Sequence, residues 1–232
     1  MQLITHLADA AFQSLLISSI ETFPSSFLPG RGQAASKPLR QEGESFGLLF
    51  GQRLVKPDAL VFNVALAVPM LTARRNQEMV RFSGRHFFRI QEVTESFPFL
   101  GLLGTFHSHP CHKDDYDARS ISGFSEEDAE CAIEVARDYG DELLEVILGI
   151  TALGRHSRRP AQVNGETIHS YCGRFKYALS AYCTLGAVPD EEEAPDDDEE
   201  DDDGALLAPV DRLICPLAAY GGDIFGRTVM MG

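Results

Sequence analysis

His107 and His109 stand two residues apart at the end of FPFLGLLGTFHSH (Phe97 to His109), an apolar run that reads as a strand covered on both faces. Alternate residues of a strand leave the same face, so the two imidazoles can chelate one ion. Two imidazole nitrogens suit zinc, which holds such ligands at about 2.0 to 2.1 Å. A catalytic site needs a third protein ligand and one open position. Asp128 is the candidate, in the first turn of the helix expected next, where the chain after Pro110 can fold back over the strand end. Ser125-x-x-Asp128 is equally a capping-box variant, with Ser125 as N-cap and Asp128 as the acidic N3 residue. The two roles are compatible, because a helix start holds the carboxylate rigidly. Each signal alone has an ordinary structural explanation; the pairing is what points to a metal.

Other zinc chemistries find little support. No histidine is followed by x-Glu, and neither Cys-x-x-Cys nor H-E-x-x-H occurs. His6, His86, His156 and His169 lack metal-like spacing and read as surface or packed histidines. Cys111 and His112 read as loop residues, although they follow the His pair closely enough to reach an ion, where a ligand from either would close the open position.

HSHP followed by S-x-x-D resembles the signature of the JAMM (MPN-plus) zinc metallopeptidases, here His107, Ser108, His109 and Pro110, then Ser125 and Asp128. That family also sets a catalytic glutamate just before a strand of the form E-x-x-G-x-L-x-G; ESFGLLFG matches it, with Glu44 in the glutamate's place and Gly47, Leu49 and Gly51 following. The resemblance covers roughly residues 1 to 186 in element order. One departure is the stretch Cys111 to Phe124, about twice the family's usual gap, which reads as a polar flap beside the metal. A longer surface loop costs little closure entropy and leaves the ligands in reach.

The resemblance implies an α/β (α+β) fold, a mixed central β-sheet flanked by helices. It implies one Zn²⁺ per chain on His107, His109 and Asp128, and hydrolysis of the bond after the C-terminal glycine of ubiquitin or a ubiquitin-like modifier. Zinc activates the water, Glu44 moves its proton to the leaving amine, and the Ser125 hydroxyl donates to the oxyanion. The extended substrate tail would add to a sheet edge beside the metal. Two other readings share the fold: a non-catalytic scaffold subunit of a larger complex, and a DNA-repair-associated branch. Intact Glu44, His107, His109, Ser125 and Asp128 argue against the scaffold, and a nearly neutral body gives the DNA branch no support.

Several elements must position these residues. Phe12, Leu15, Leu16, Ile20 and Phe23 recur near helical spacing until Pro24, predicting a helix over Ala8 to Thr22. Pro24 to Gly43 reads as a long loop, and Ser45–Val55, Leu60–Val68 and Met79–Phe88 as strands. SEEDAECAIEVARDYG sets Ala129, Ala132, Ile133 and Ala136 on one helical face, with Gly140 available as the C′ residue. Leu143–Leu153 and Thr167–Thr184 read as two further strands around a basic loop, Arg155–Pro160.

Twelve of the fourteen residues from Asp190 to Asp203 are acidic, and they supply −12 of the formal net charge of −15. The chain thus divides into a body (1–187), an acidic flexible linker (188–204) and an apolar C-terminal tail (205–232) that docks on the body or on a protein partner. Deleting Asp190 to Gly232 is expected to spare cleavage, since every site residue precedes it. Without a basic excess, nucleic acid is not an expected partner. Five cysteines form no disulfide framework, and no signal-like or membrane-spanning segment occurs, so the chain reads as cytoplasmic.

Overall fold

A computed structural model of the chain describes residues 1–30, 42–71, 74–75, 80–81, 84–94, 96–139, 142–185 and 206–219. The acidic run, Gly140, most of the loop before Gly43 and the last thirteen residues lie outside them. Strand β1 (Gln2–Leu7) buries Leu3, Thr5 and Leu7 in strict alternation and leads into helix α1 (Asp9–Glu21), close to the predicted 8–22. Strands β2 (Phe46–Val55) and β3 (Ala59–Pro69) form a hairpin, followed by the small ribbon β4 (Arg74–Arg75) and β5 (Val80–Arg81) and by helix α2 (Gly84–Thr94). Strand β6 (Gly101–Cys111), helices α3 (Ala118–Ile121) and α4 (Glu126–Tyr139) and strand β7 (Leu144–Ala152) carry or surround the candidate site. Strands β8 (Gln162–Val163), β9 (Thr167–Cys172), β10 (Phe175–Leu185), β11 (Leu206–Pro209) and β12 (Arg212–Ile214) follow among the described residues.

The expected sheet flanked by helices is not what forms. Among the described residues strand outweighs helix, and ten strands make one curled half-barrel in the order β12-β1-β3-β2-β6-β7-β10-β9-β8, with β11 also on β10. Its two ends meet: the Leu213 N–H in β12 donates to Gly165 O, in the turn between β8 and β9, at 2.7 Å. The curl lets one face bury itself around a single helix. Phe12 and Leu15 of α1 share a continuous core with Leu60 and Phe62 of β3, Phe106 of β6, Leu148 of β7, Leu179 of β10 and Leu213 of β12. A sheet so closed on its apolar face needs no second helical layer. The opposite face is polar near the site, carrying Thr105, His107, Glu145, Thr151 and Lys176, and α2, α3 and α4 lean on it only locally.

Two local readings also change. Met79–Phe88 is not a strand: β5 ends at Arg81 and α2 begins at Gly84. Phe87, Ile90 and Thr94 recur at helical spacing, and Ile90 packs on a small cluster of Leu48, Phe50 and Met70. Thr167–Thr184 is not one strand but the hairpin β9–β10, because Gly173 adopts a left-handed φ of 59° that turns the chain.

Residues 206–219 of the apolar C-terminal segment are built into the sheet. β11 pairs antiparallel with β10, β12 pairs parallel with β1, and Val210, Leu213, Cys215 and Ala218 between and beyond them are buried. Deletion from residue 190 therefore removes part of the fold, although every site residue precedes it. Among the described residues, no helix is long and apolar enough to cross a membrane.

Candidate metal centre

Strand β6 presents His107 and His109 on the polar face, as their spacing predicts, and α4 brings Asp128 to them. The Asp128 Oδ2 atom lies 3.4 Å from His109 Nε2 and 3.8 Å from His107 Nε2. All three potential ligand atoms fall within 4.8 Å of one another, so the group could hold a metal ion. Donors around a tetrahedral zinc lie about 3.3 Å apart when each bond is about 2.0 Å, close to these separations. The fit is also electronic. His107 Nε2 is buried without a hydrogen-bond partner, and an unpaired buried nitrogen of this kind is costly unless something accepts its lone pair.

The protonation states of His107 and Asp128 favour ligation. Burial, and then the neighbouring charge of His109, hold the His107 pKa down to about 4, so this ring stays neutral. Burial acts to raise the Asp128 carboxyl, but its hydrogen bond to His109, the charge of His107 and the Ser125 hydroxyl outweigh it and hold Asp128 well below the usual range. Burial acts to lower His109, yet Asp128 and Glu44 overcome it and raise the ring above its ordinary value.

Second contacts fix each group. His109 Nδ1 lies 3.0 Å from Ile121 O, an arrangement in which Nδ1–H donates and Nε2 keeps its lone pair for the ion. Ile121 ends α3, within the stretch that sequence alone reads as a flap. It approaches so closely because Gly149 lies beneath it: a Cβ there would stand 2.4 Å from Ile121 Cγ1. On α4, Ser125 and Asp128 form the reciprocal cap. The Asp128 N–H donates to Ser125 Oγ at 3.1 Å, and the Ser125 hydroxyl donates to Asp128 Oδ2 at 2.7 Å. Cys111 and His112 do not join the group; His112 packs against Phe27, with ring centroids 4.1 Å apart.

Glu44 precedes β2 and is held through its neighbour. Ser45 N–H donates to Ser108 Oγ at 2.8 Å, Ser108 N–H donates to Ser45 O at 3.0 Å, and Ser19 Oγ lies 2.8 Å from Ser45 Oγ. Since Ser108 sits between the two histidines, this buried serine cluster ties Glu44 to their strand. Burial raises the Glu44 pKa to about 7, with His109 opposing and Asp128 adding to it. A carboxyl poised near neutrality can both take and return a proton.

Glu145 on β7 escapes sequence reasoning, because an isolated glutamate in an apolar strand carries no motif. It is buried beside the site, and the Thr105 hydroxyl donates to its Oε2 at 2.5 Å. Burial raises its pKa from 4.5 to about 7 against the pull of Thr105, so folding disfavours its charged form. The stability it contributes is complete below about pH 4.5 and lost as pH rises through about 7, on the order of 3 kcal/mol. Glu145→Gln in chelated protein is expected to remove most of that alkaline loss. Urea midpoints at about pH 5 and about pH 9 measure it; if their difference equals the wild-type one, Glu145 is not the group responsible.

No protein-family model matches the chain, and no curated protein matches it. Functional assignment therefore rests on the motifs and on this geometry.

Proposed function

We propose that the protein is a zinc-dependent peptidase or isopeptidase that hydrolyses the bond after the C-terminal glycine of a ubiquitin-like modifier. The observation that carries the reading is the meeting of three separated segments. Glu44, the His107/His109 pair and the Ser125/Asp128 cap come together on one face, with the His107 Nε2 lone pair unengaged at the centre. The motif order similar to the JAMM peptidases supplies the substrate class, while the fold expectation drawn from it is set aside.

His107, His109 and Asp128 would hold the ion. Bound there, zinc acts as a Lewis acid and lowers the pKa of a coordinated water to about 7. Glu44 accepts the proton of the attacking water, whose oxygen forms the new bond to the carbonyl carbon. As the carbon–nitrogen bond breaks, Glu44 returns that proton to the leaving amine, giving a carboxylate and an amine. Ser125 has two parts: its hydroxyl orients Asp128 as the structure stands, and rotation about one bond turns it toward a developing oxyanion.

The test is metal content followed by turnover. Purified protein is expected to hold one zinc per chain by elemental analysis, and His107→Ala to lose it while His169→Ala keeps it. Cleavage within a panel of ubiquitin-like fusions should stop with a zinc chelator. Stoichiometric zinc in His107→Ala, or cleavage that survives chelation, would remove the metal centre from the mechanism.

A further inference from the structure

Beyond His109 the same face of the sheet opens into a cavity of about 910 Å³. Lys113, Arg155, Arg158, Arg159 and Lys176 line it, Tyr116 forms an aromatic wall, and no carboxylate is among the described lining residues. Asp114 and Asp115 share a turn with Lys113, yet neither lines it. On a nearly neutral body, five cations border one cavity with no carboxylate among its described lining residues; Lys113, Arg155, Arg158 and Arg159 are exposed and Lys176 is half-buried, so their charges are open to an incoming anion. Lys176 Nζ stands 3.8 Å from the centre of the Tyr116 ring, which positions the ammonium over it. Partial burial, and then the charge of Arg159, push Lys176 below its ordinary pKa, as expected of cations crowded before an anion arrives. The Tyr116 hydroxyl is itself buried with no hydrogen-bond partner.

The cavity adjoins the metal centre. Thr151 lines it and pairs with Cys111, two residues past His109 on the same face, and the Thr151 hydroxyl donates to Cys111 O at 3.0 Å. Two residues of strand span about 7 Å, roughly two residues of an extended peptide lying alongside.

We propose that this cavity binds acidic side chains of the polypeptide presented to the metal centre, directing cleavage to bonds flanked by Asp or Glu. The peptide nature of the ligand rests on the peptidase reading; its negative charge is argued from the cavity alone. Guanidinium forks pair with carboxylates bidentately, and three arginines within five residues can engage more than one acidic side chain. A nucleic-acid backbone fits poorly, because it needs cations spread along a surface, and these border one cavity on a nearly neutral body.

The test uses the full chain and fluorescence anisotropy with a labelled hexaglutamate peptide, hexaglutamine as the neutral control and inorganic tripolyphosphate as the competing anion class. Hexaglutamate is expected to bind at low salt and hexaglutamine not to. Affinity for hexaglutamate should fall at least about tenfold in the Arg158→Glu/Arg159→Glu double variant and stay unchanged in Lys56→Gln, an exposed cation that does not line the cavity. The milder Arg158→Gln/Arg159→Gln pair, checked by its thermal melt, guards against loss of fold. Equal binding by wild type and both double variants, or binding of tripolyphosphate without hexaglutamate, overturns the proposal. The two readings also separate in turnover. If fusions are cleaved but a glutamate-rich flank gives no lower KM, the cavity proposal fails alone. If hexaglutamate binds and no fusion is cleaved, the peptidase reading fails, and with it the link to cleavage.

Discussion

Glu44→Gln is expected to lower turnover by about 10²- to 10⁴-fold while leaving zinc content and the thermal melt as in the wild type. Glutamine keeps the shape and the polarity of the side chain but cannot carry a proton between water and a leaving amine. The wild-type carboxyl is placed for that task by burial, which raises its pKa to about 7, and by the proximity of His109 and Asp128. It is not one of the grouped ligands, so metal retention should not depend on it. Kinetics on whichever fusion the wild type cleaves, with zinc quantified in the same samples, separate the possibilities. Loss of zinc in Glu44→Gln would make the glutamate a ligand, and wild-type turnover would remove it from the chemistry.

Removing residues 206–232 is expected to unfold the protein. Val210, Leu213, Cys215 and Ala218 are each no more than 3% exposed, and they seal the core that α1 fills. Burying a Val or Leu side chain contributes about 1.5 to 3 kcal/mol, and the deletion also uncovers the residues these side chains cover. It further breaks β12 from β1, β11 from β10, and the bond from the Leu3 N–H to Asp211 Oδ2 at 2.7 Å. Set against a usual domain stability of about 5 to 15 kcal/mol, the loss approaches the whole. Excising only 190–203 is the matched control: it leaves six residues to join the paired ends Leu185 and Leu206, enough for a hairpin loop. Circular dichroism melts should show no cooperative transition for the first protein and a near-wild-type one for the second. A cooperative melt in the first would show that the half-barrel closes without its C-terminal strands.

The candidate site was more legible than the fold, and the reason is range. His107-x-His109 and Ser125-x-x-Asp128 are local patterns whose geometry follows from strand and helix periods, so spacing alone carries them. Glu44 was legible only through the order of its neighbours in ESFGLLFG. The groups that hold these residues are joined by tertiary contact and have no spacing to read: Ser19 with Ser45 and Ser108, Ile121 over Gly149, Thr105 with Glu145. Gly149 within an apolar strand did carry a faint signal of close backbone approach. The architecture was not legible because strands such as Leu144–Ala152 are buried at every position whether a helix layer or a curled sheet covers them. Periodicity reports that a strand is buried and does not report by what.

The pairing of β1 with β12 sets a clock on folding. Ile4, Thr5 and His6 wait for Arg212, Leu213 and Ile214, partners made 208 residues later. At about 5 to 20 residues per second, the ribosome delivers those partners roughly 10 to 40 s after the first strand. During that interval β1 can join β3 but keeps a bare row of backbone donors and acceptors along its other side. An open strand edge of this kind invites pairing with another nascent chain, and pairings so distant in sequence form slowly even once complete. The open edge of β1 is therefore an aggregation hazard throughout the interval before β12 arrives.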